Sequence, residues 1–223
     1  MINELIGPLH WVLLSGLLGM FISGIFSKKL QLERRFFLIP YVIIMSIFLY
    51  SFFSLNNISF LNLIIENSMY GIIVGIIVGG ILVKTVQNQP ISRTSTGNKL
   101  LGEVLWFGII YGFIDALLLN VIPVITIWNG FEIMGLTSIW WGMIIALVTS
   151  FTASMFVTFM YHIGYDEFRN KSIGFVIIGN SIITIAYIIS LNPLGAILSH
   201  VIMHIAAVYQ GPKTTLQLPP HHE

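Results

Sequence analysis

Long apolar runs alternate with short polar gaps along the whole chain. The runs fall at roughly 5–26, 36–55, 67–84, 100–125, 138–163, 173–190 and 194–210. A helix that crosses a bilayer needs about 20 mainly apolar residues. In lipid every backbone polar group must be satisfied within the element, which favours helices. The pattern therefore predicts an all-α, polytopic helical membrane protein with about seven transmembrane helices. Asn192–Pro193 is a turn signal, so the last two helices are expected to form a tight hairpin.

No linker divides the chain, and 1–223 is read as a single membrane domain. The polar stretch TVQNQPISRTSTGNK, 85–99, separates three plain N-terminal helices (1–84) from a four-helix part (100–210). Only the second part carries Asp, Glu and the paired histidines inside its spans. Gly71, Gly75, Gly79, Gly80, Gly108 and Gly112 recur at helical spacing and read as close-packing positions.

Composition supports this pattern. Hydrophobic residues make up 56% of the chain and charged residues 9%, with mean hydropathy +0.91. A soluble domain carries roughly 25% charged residues. A net charge of +1 offers no footprint for nucleic acid, and the bilayer is the expected partner. The absence of cysteine excludes disulfides, thiolate metal sites and thiol nucleophiles. The N-terminal run has neither a basic leader nor a small-residue cleavage site, so it is read as the first span.

Lys and Arg set the expected orientation. Lys28, Lys29, Arg34, Arg35, Lys84, Arg93, Lys99, Arg169, Lys171 and Lys213 all fall on one side if the chain crosses seven times. Glu4, Glu66 and Glu132 fall on the other. The expectation is an N-terminus outside, a C-terminus in the cytoplasm, and residence in the plasma membrane.

Ionisable residues inside spans are costly and mark functional candidates. They are His10, Glu103, Asp115, His162, His200 and His204. His10, beside Trp11, suits an interfacial position. His200 and His204, at i and i+4, share one helix face and can ligate one metal. Glu103 lies one turn into its span, and Asp115 about 18 Å deeper along a helix. Either acid can serve as a base, and both can point inward only if their helix is central. His162 closes the fifth span. His221 and His222, in the tail LPPHHE, are expected to be solvated and without chemistry.

The order of these residues resembles the CPBP, or Abi, family of intramembrane proteases, whose motifs are EExxxR, FxxxH and HxxxN. The likeness covers roughly 100–210. Glu103 stands in GEVLWF, with Gly102 and Phe107 where the family has its other acid and its arginine. His162 follows Thr158 where the family has Phe, and HVIMH places His204 at the Asn position. The segment GFVIIGNSIITIAYIISLNPLGAILSHVIMH resembles the family's last two helices. The resemblance implies a metal- or glutamate-dependent intramembrane peptidase acting on a peptide or membrane protein, or a non-catalytic relative of one. It implies catalytic roles for Glu103 (or Asp115), His162, His200 and His204. His162, His200 and His204 are the candidate metal ligands, and Zn²⁺ suits such a donor set. Rival readings are a haem- or metal-holding subunit, a structural subunit of a membrane complex, and a proton-coupled carrier using Asp115, His200 and His204.

Overall fold

The structure, a computed structural model, describes residues 2–214 and 216–222. Among these residues it is helical throughout, without strands. The principal helices are α1 (Ile2–Ile22), α2 (Arg34–Leu55), α3 (Phe60–Ile65), α4 (Ser68–Gln87), α5 (Gly97–Ile133), α6 (Trp140–Ile163), α7 (Ser172–Ser190) and α8 (Leu194–Gln210). α1 continues through a π-helical stretch, Ser23–Lys29. The side chain of Glu4 lies outside the described residues.

Six of these helices are long and apolar enough to cross a membrane, against the seven spans expected from sequence. The seventh run forms α8, which has 17 residues. That is about 25 Å of helix, short of a hydrocarbon core of about 30 Å. The fourth run is longer than expected: α5 extends to 37 residues. α3 is a short helix that hydropathy alone does not separate from α4.

α5 is the centre of the bundle. Its apolar window is 83% buried, against 28–33% for the other five long helices. It is not a uniform rod: π-helical stretches at Val104–Ile110 and Leu117–Val121 flank the α-helical turn Tyr111–Ala116 that carries Asp115. Such wide turns rotate the side chains that follow them. Pro123 has no N–H to give to the carbonyl four residues earlier. Ser154 Oγ donates to that Leu119 carbonyl instead, at 2.6 Å, and ties α6 to α5.

Two glycine stripes hold α8 in place. Gly71, Gly75 and Gly79 of α4 face Asn192, Leu198 and Ile202, and a Cβ at Gly75 would stand 2.8 Å from Leu198 Cβ. On the other side, Gly108 and Gly112 of α5 receive Ile205, Val201 and His204. A Cβ at Gly112 would lie 3.1 Å from His204 Cδ2. The packing expected of these glycines thus brings the His200–His204 face against the Asp115 turn. Gly80 is the exception, with open space where a Cβ would go.

The loop before α8 turns at Leu191, whose φ is 49°. The Asn192 amide then donates to the carbonyls of Leu63 and Ile64, each at 3.0 Å, and so anchors the end of α3.

The tail differs from expectation. Thr214 and residues 217–220 are buried, and His221 is only partly exposed. Arg34 Nε donates to the Pro220 carbonyl at 3.2 Å, and Gln89 Nε2 to Gln217 Oε1 at 2.8 Å. His221 Nδ1 lies 3.0 Å from Glu167 Oε1, and its Nε2 lies 3.0 Å from the Thr214 carbonyl. The solvated tail expected from its polarity is therefore a strap packed across one end of the bundle. A few apolar anchors such as Leu218 and Pro219 outweigh its polar composition.

Candidate functional site: a buried aspartate and two histidines

Asp115, His200 and His204 meet in the interior, each no more than 3% exposed. Each offers one ligand atom, and the three atoms lie within 4.8 Å of one another. Asp115 Oδ2 is 3.7 Å from His200 Nε2 and 3.9 Å from His204 Nε2. The two imidazoles are parallel, 3° between planes and 4.8 Å between centroids, as i and i+4 placement requires.

The hydrogen-bond network fixes which ring atoms can donate. Thr158 Oγ1 donates to the Ser154 carbonyl at 2.9 Å, and Thr184 Oγ1 to the Asn180 carbonyl at 2.9 Å. These hydroxyls therefore accept from amides. Asn180 Nδ2 donates to Thr158 Oγ1 at 2.5 Å, and Asn120 Nδ2 to Thr184 Oγ1 at 2.9 Å and Asn180 Oδ1 at 3.0 Å. The amide nitrogen of Asn120 is then used, and its Oδ1 faces His200 Nδ1 at 3.3 Å. An amide oxygen only accepts, so His200 Nδ1–H donates and Nε2 carries a lone pair.

That lone pair points toward a carboxylate oxygen, which also only accepts. Asp115 is oriented from its other side by Tyr41, whose hydroxyl donates to Oδ1 at 2.5 Å. Neither ring nitrogen of His204 has a hydrogen-bond partner. Buried polar groups are normally paired, and each exception calls for an explanation. Two acceptors, Asp115 Oδ2 and His200 Nε2, thus face one another beside an imidazole whose nitrogens have no hydrogen-bond partner. A divalent cation satisfies all of them at once. Two ligands on a tetrahedral zinc stand roughly 3.4 Å apart, given bonds of about 2.0–2.1 Å. The two Asp–His spacings exceed this by about 0.3 and 0.5 Å and all three atoms lie within 4.8 Å, so the trio can hold a metal ion once its side chains close in.

His162 lines the same cavity but stands outside the three-ligand group. Its Nδ1–H donates to the Thr158 carbonyl at 2.8 Å, which leaves Nε2 for the cavity. Glu103 is elsewhere: it accepts a 2.7 Å hydrogen bond from Ser95 Oγ and lines a second cavity near Arg34 and Lys99. Of the two acids weighed from sequence, Asp115 is the one brought to the histidines.

Several contributors carried no signal in the sequence. Tyr41 comes from α2, one of the three helices read as plain. Tyr111, Tyr161 and Tyr165 are fully buried beside it, with hydroxyls 2.9 Å and 2.6 Å apart along the chain of three. Asn120, Asn180, Thr158 and Thr184 are amides and hydroxyls in apolar runs, where such residues do not stand out. The NxxxT spacing of Asn180 and Thr184 offered a faint hint of one polar face.

The cavity holds about 190 Å³. Its walls come from α4 (Leu82, Thr85), α7 (Val176, Gly179), α8 (Met203) and the tail (Gln217, Pro219). The volume falls below the 300–1,000 Å³ of ordinary ligand pockets, and a haem exceeds it. The stacked His200–His204 pair also faces one way, whereas axial haem ligands must oppose one another.

Comparison of the chain with protein-family models, with curated proteins and with solved structures finds no match.

Proposed function

We propose that the protein is an intramembrane metal-dependent hydrolase, acting on peptide bonds as the CPBP resemblance implies. Asp115, His200 and His204 hold the metal, with Zn²⁺ the ion that suits two imidazoles and one carboxylate. The observation that carries the reading is the convergence of Asp115 Oδ2, His200 Nε2 and the unpartnered His204 ring, with no donor between Asp115 Oδ2 and His200 Nε2. Three protein ligands and an adjoining cavity match catalytic rather than structural zinc sites, which keep one position open.

When bound, the ion polarises a carbonyl and lowers the pKa of a water to about 7. The chain's own residues do the rest. Tyr41 holds Asp115 by Oδ1 and turns Oδ2 toward the histidines. Asn120 fixes the His200 ring so that Nε2 faces inward. His162 Nε2 accepts a proton as the water oxygen attacks the carbonyl carbon, and returns it to the leaving amine as the C–N bond breaks. Lining residues Phe175 and Ile178 are 60% exposed on the lipid-facing surface of α7, so a membrane-borne peptide reaches the cavity sideways.

In this reading α8 completes a seventh crossing. The sorting of Lys and Arg then places the N-terminus outside and the C-terminus in the cytoplasm of a plasma-membrane protein.

Metal analysis of the purified full chain tests the proposal. About one zinc per chain is expected in the wild type, and less than a tenth of that in His200→Ala/His204→Ala and in Asp115→Ala, with the melting transition retained. A wild type that takes up no divalent metal, even when zinc is supplied, overturns it.

A further inference from the structure

The second cavity, about 690 Å³, sits at the end of the bundle where the basic residues gather. It lies among the start of α2, the loop 90–95, the start of α5 and the residues after α8. Arg34, Arg93, Lys99 and Lys213 line it, and Glu103 is the one acid among the lining residues, already engaged with Ser95. The net is three positive charges around one void. Among the described residues, Arg93, Lys99 and Lys213 have no carboxylate within 4 Å. Ser92, Thr94 and Ser95 add hydroxyls to the wall.

A different kind of space adjoins it. A groove of about 340 Å³ runs between α4 and α8, walled by Val83, Ile202, Ile205 and Ala206, with Gln87, Tyr209 and Gln210 also lining it. Arg93 joins the two spaces, with its guanidinium carbon 5.7 Å from the centre of the Tyr209 ring. Val208 and Gly211 line the basic cavity, while Tyr209 and Gln210 line the apolar groove. A cationic chamber therefore lies next to a mainly apolar trough, with Arg93 and the end of α8 between them.

We propose that this pair of spaces is a binding site for an anionic glycerophospholipid, with the phosphate in the basic cavity and an acyl chain in the groove between α4 and α8. The chemistry on both sides is specific. The phosphodiester meets guanidinium and ammonium donors with hydroxyls alongside. Glu103 disfavours a second phosphate nearby and accepts from a headgroup hydroxyl such as that of glycerol. The trough takes an acyl chain along its aliphatic wall, with the polar groups of Gln87, Tyr209 and Gln210 also lining it. Basic pockets between helices at the cytoplasmic interface hold such headgroups in general. The site is independent of the metal cluster, and needs no hydrolytic activity.

The test titrates the full chain in neutral detergent with phosphatidylglycerol and, separately, phosphatidylcholine. Thermal shift reports affinity, and native mass spectrometry reports lipid retained per chain. One phosphatidylglycerol per chain is expected, with saturable stabilisation. Arg93→Gln/Lys99→Gln/Lys213→Gln removes three near-surface cations and should weaken binding roughly a hundredfold. Ala206→Trp fills the trough and should weaken it as well. Lys29→Gln/Lys171→Gln removes two charges that line neither space and should stay within about twofold of the wild type, because screening limits distant charges. Equal loss in this control, equal binding of phosphatidylcholine, or equal stabilisation by glycerol phosphate alone would each overturn the proposal.

Discussion

Tyr41 donates its hydroxyl to Oδ1 of Asp115 at 2.5 Å, across 74 residues of chain and between two helices. One oxygen of the carboxylate is thereby committed, and the other is left to face His200 and His204. Outer-shell partners of this kind typically set metal affinity by 10–100-fold. Tyr41→Phe should therefore weaken zinc retention by about that factor in a chelator competition, with the ring packing intact. Unchanged retention would show that Asp115 is held by other means.

Asn120 performs the equivalent task for His200. Asn120→Ala removes the acceptor for Nδ1–H and leaves Asn180 Oδ1 and Thr184 Oγ1 short of a donor. Each buried group left unpaired costs about 1–3 kcal/mol. The variant should melt several degrees lower and lose metal together. Loss of metal without loss of stability would mean that the network is looser than its distances indicate.

Glu103→Gln separates the two acids. Glu103 is partly exposed and touches Ser95, not the histidines. Its neutralisation should leave zinc content unaltered and stability within about 0.5 kcal/mol of wild type. A collapse of metal binding on this substitution would move the catalytic acid to the family's motif position.

The glycine stripe of α4 gives a packing test with an internal control. A Cβ at Gly75 would stand 2.8 Å from Leu198 Cβ and 2.9 Å from the Leu194 carbonyl, whereas one at Gly80 meets nothing within 4 Å. Gly75→Ala should destabilise by about 1–3 kcal/mol. Gly80→Ala should be neutral or slightly stabilising, by up to about 1 kcal/mol, since it removes a helical glycine. Thermal unfolding of the two variants side by side decides the matter.

The tail strap should respond to acid. Burial raises the Glu167 carboxyl, but the hydrogen bond and charge of His221 outweigh this and hold it below its ordinary value. A depressed acid stabilises the fold fully above its unfolded pKa, and that contribution is lost as pH falls through the folded value. The stability gap between wild type and Glu167→Gln should be open at about pH 5–6 and close below about pH 4. Limited proteolysis within 211–222 should accelerate over the same fall. A gap that persists at low pH would assign the strap's hold to Arg34 and Gln89 instead.

The helices were legible because lipid compatibility demands long apolar runs, and those runs are visible residue by residue. His200 and His204 were legible because ionisable side chains stand out against such a background and i, i+4 spacing has one geometric meaning. The choice of acid was not. Depth along the helix separated the two acids by about 18 Å, but both remained able to face inward on a central helix. The π-helical stretches that flank Asp115 shift its direction, and no residue pattern in VLWFGII or LLLNV announces them. Tyr41 and Asn120 were invisible for another reason. A tyrosine or an asparagine in an apolar run reads as tolerated polarity, and its partner is fixed only once α2, α7 and α8 are packed around α5. The tail failed in the opposite direction, since its polarity suggested solvent while its prolines and leucines were being buried.

The central placement of α5 has a consequence for biogenesis. A helix that emerges from the insertion machinery meets lipid before it meets its later neighbours. α5 therefore enters the bilayer with Asp115 and Asn120 uncovered. The partners in α6, α7 and α8 are still unsynthesised, and only α1 to α4 are present. Tyr41, already in the membrane, is able to receive Asp115 from an upstream helix. The carboxylate's contact with an upstream helix then precedes its contact with the histidines, which arrive with α8. A chain arrested before α8 would hold Asp115 among tyrosine hydroxyls, without either histidine. Synthesis of α8 is therefore the step that assembles the three-ligand group.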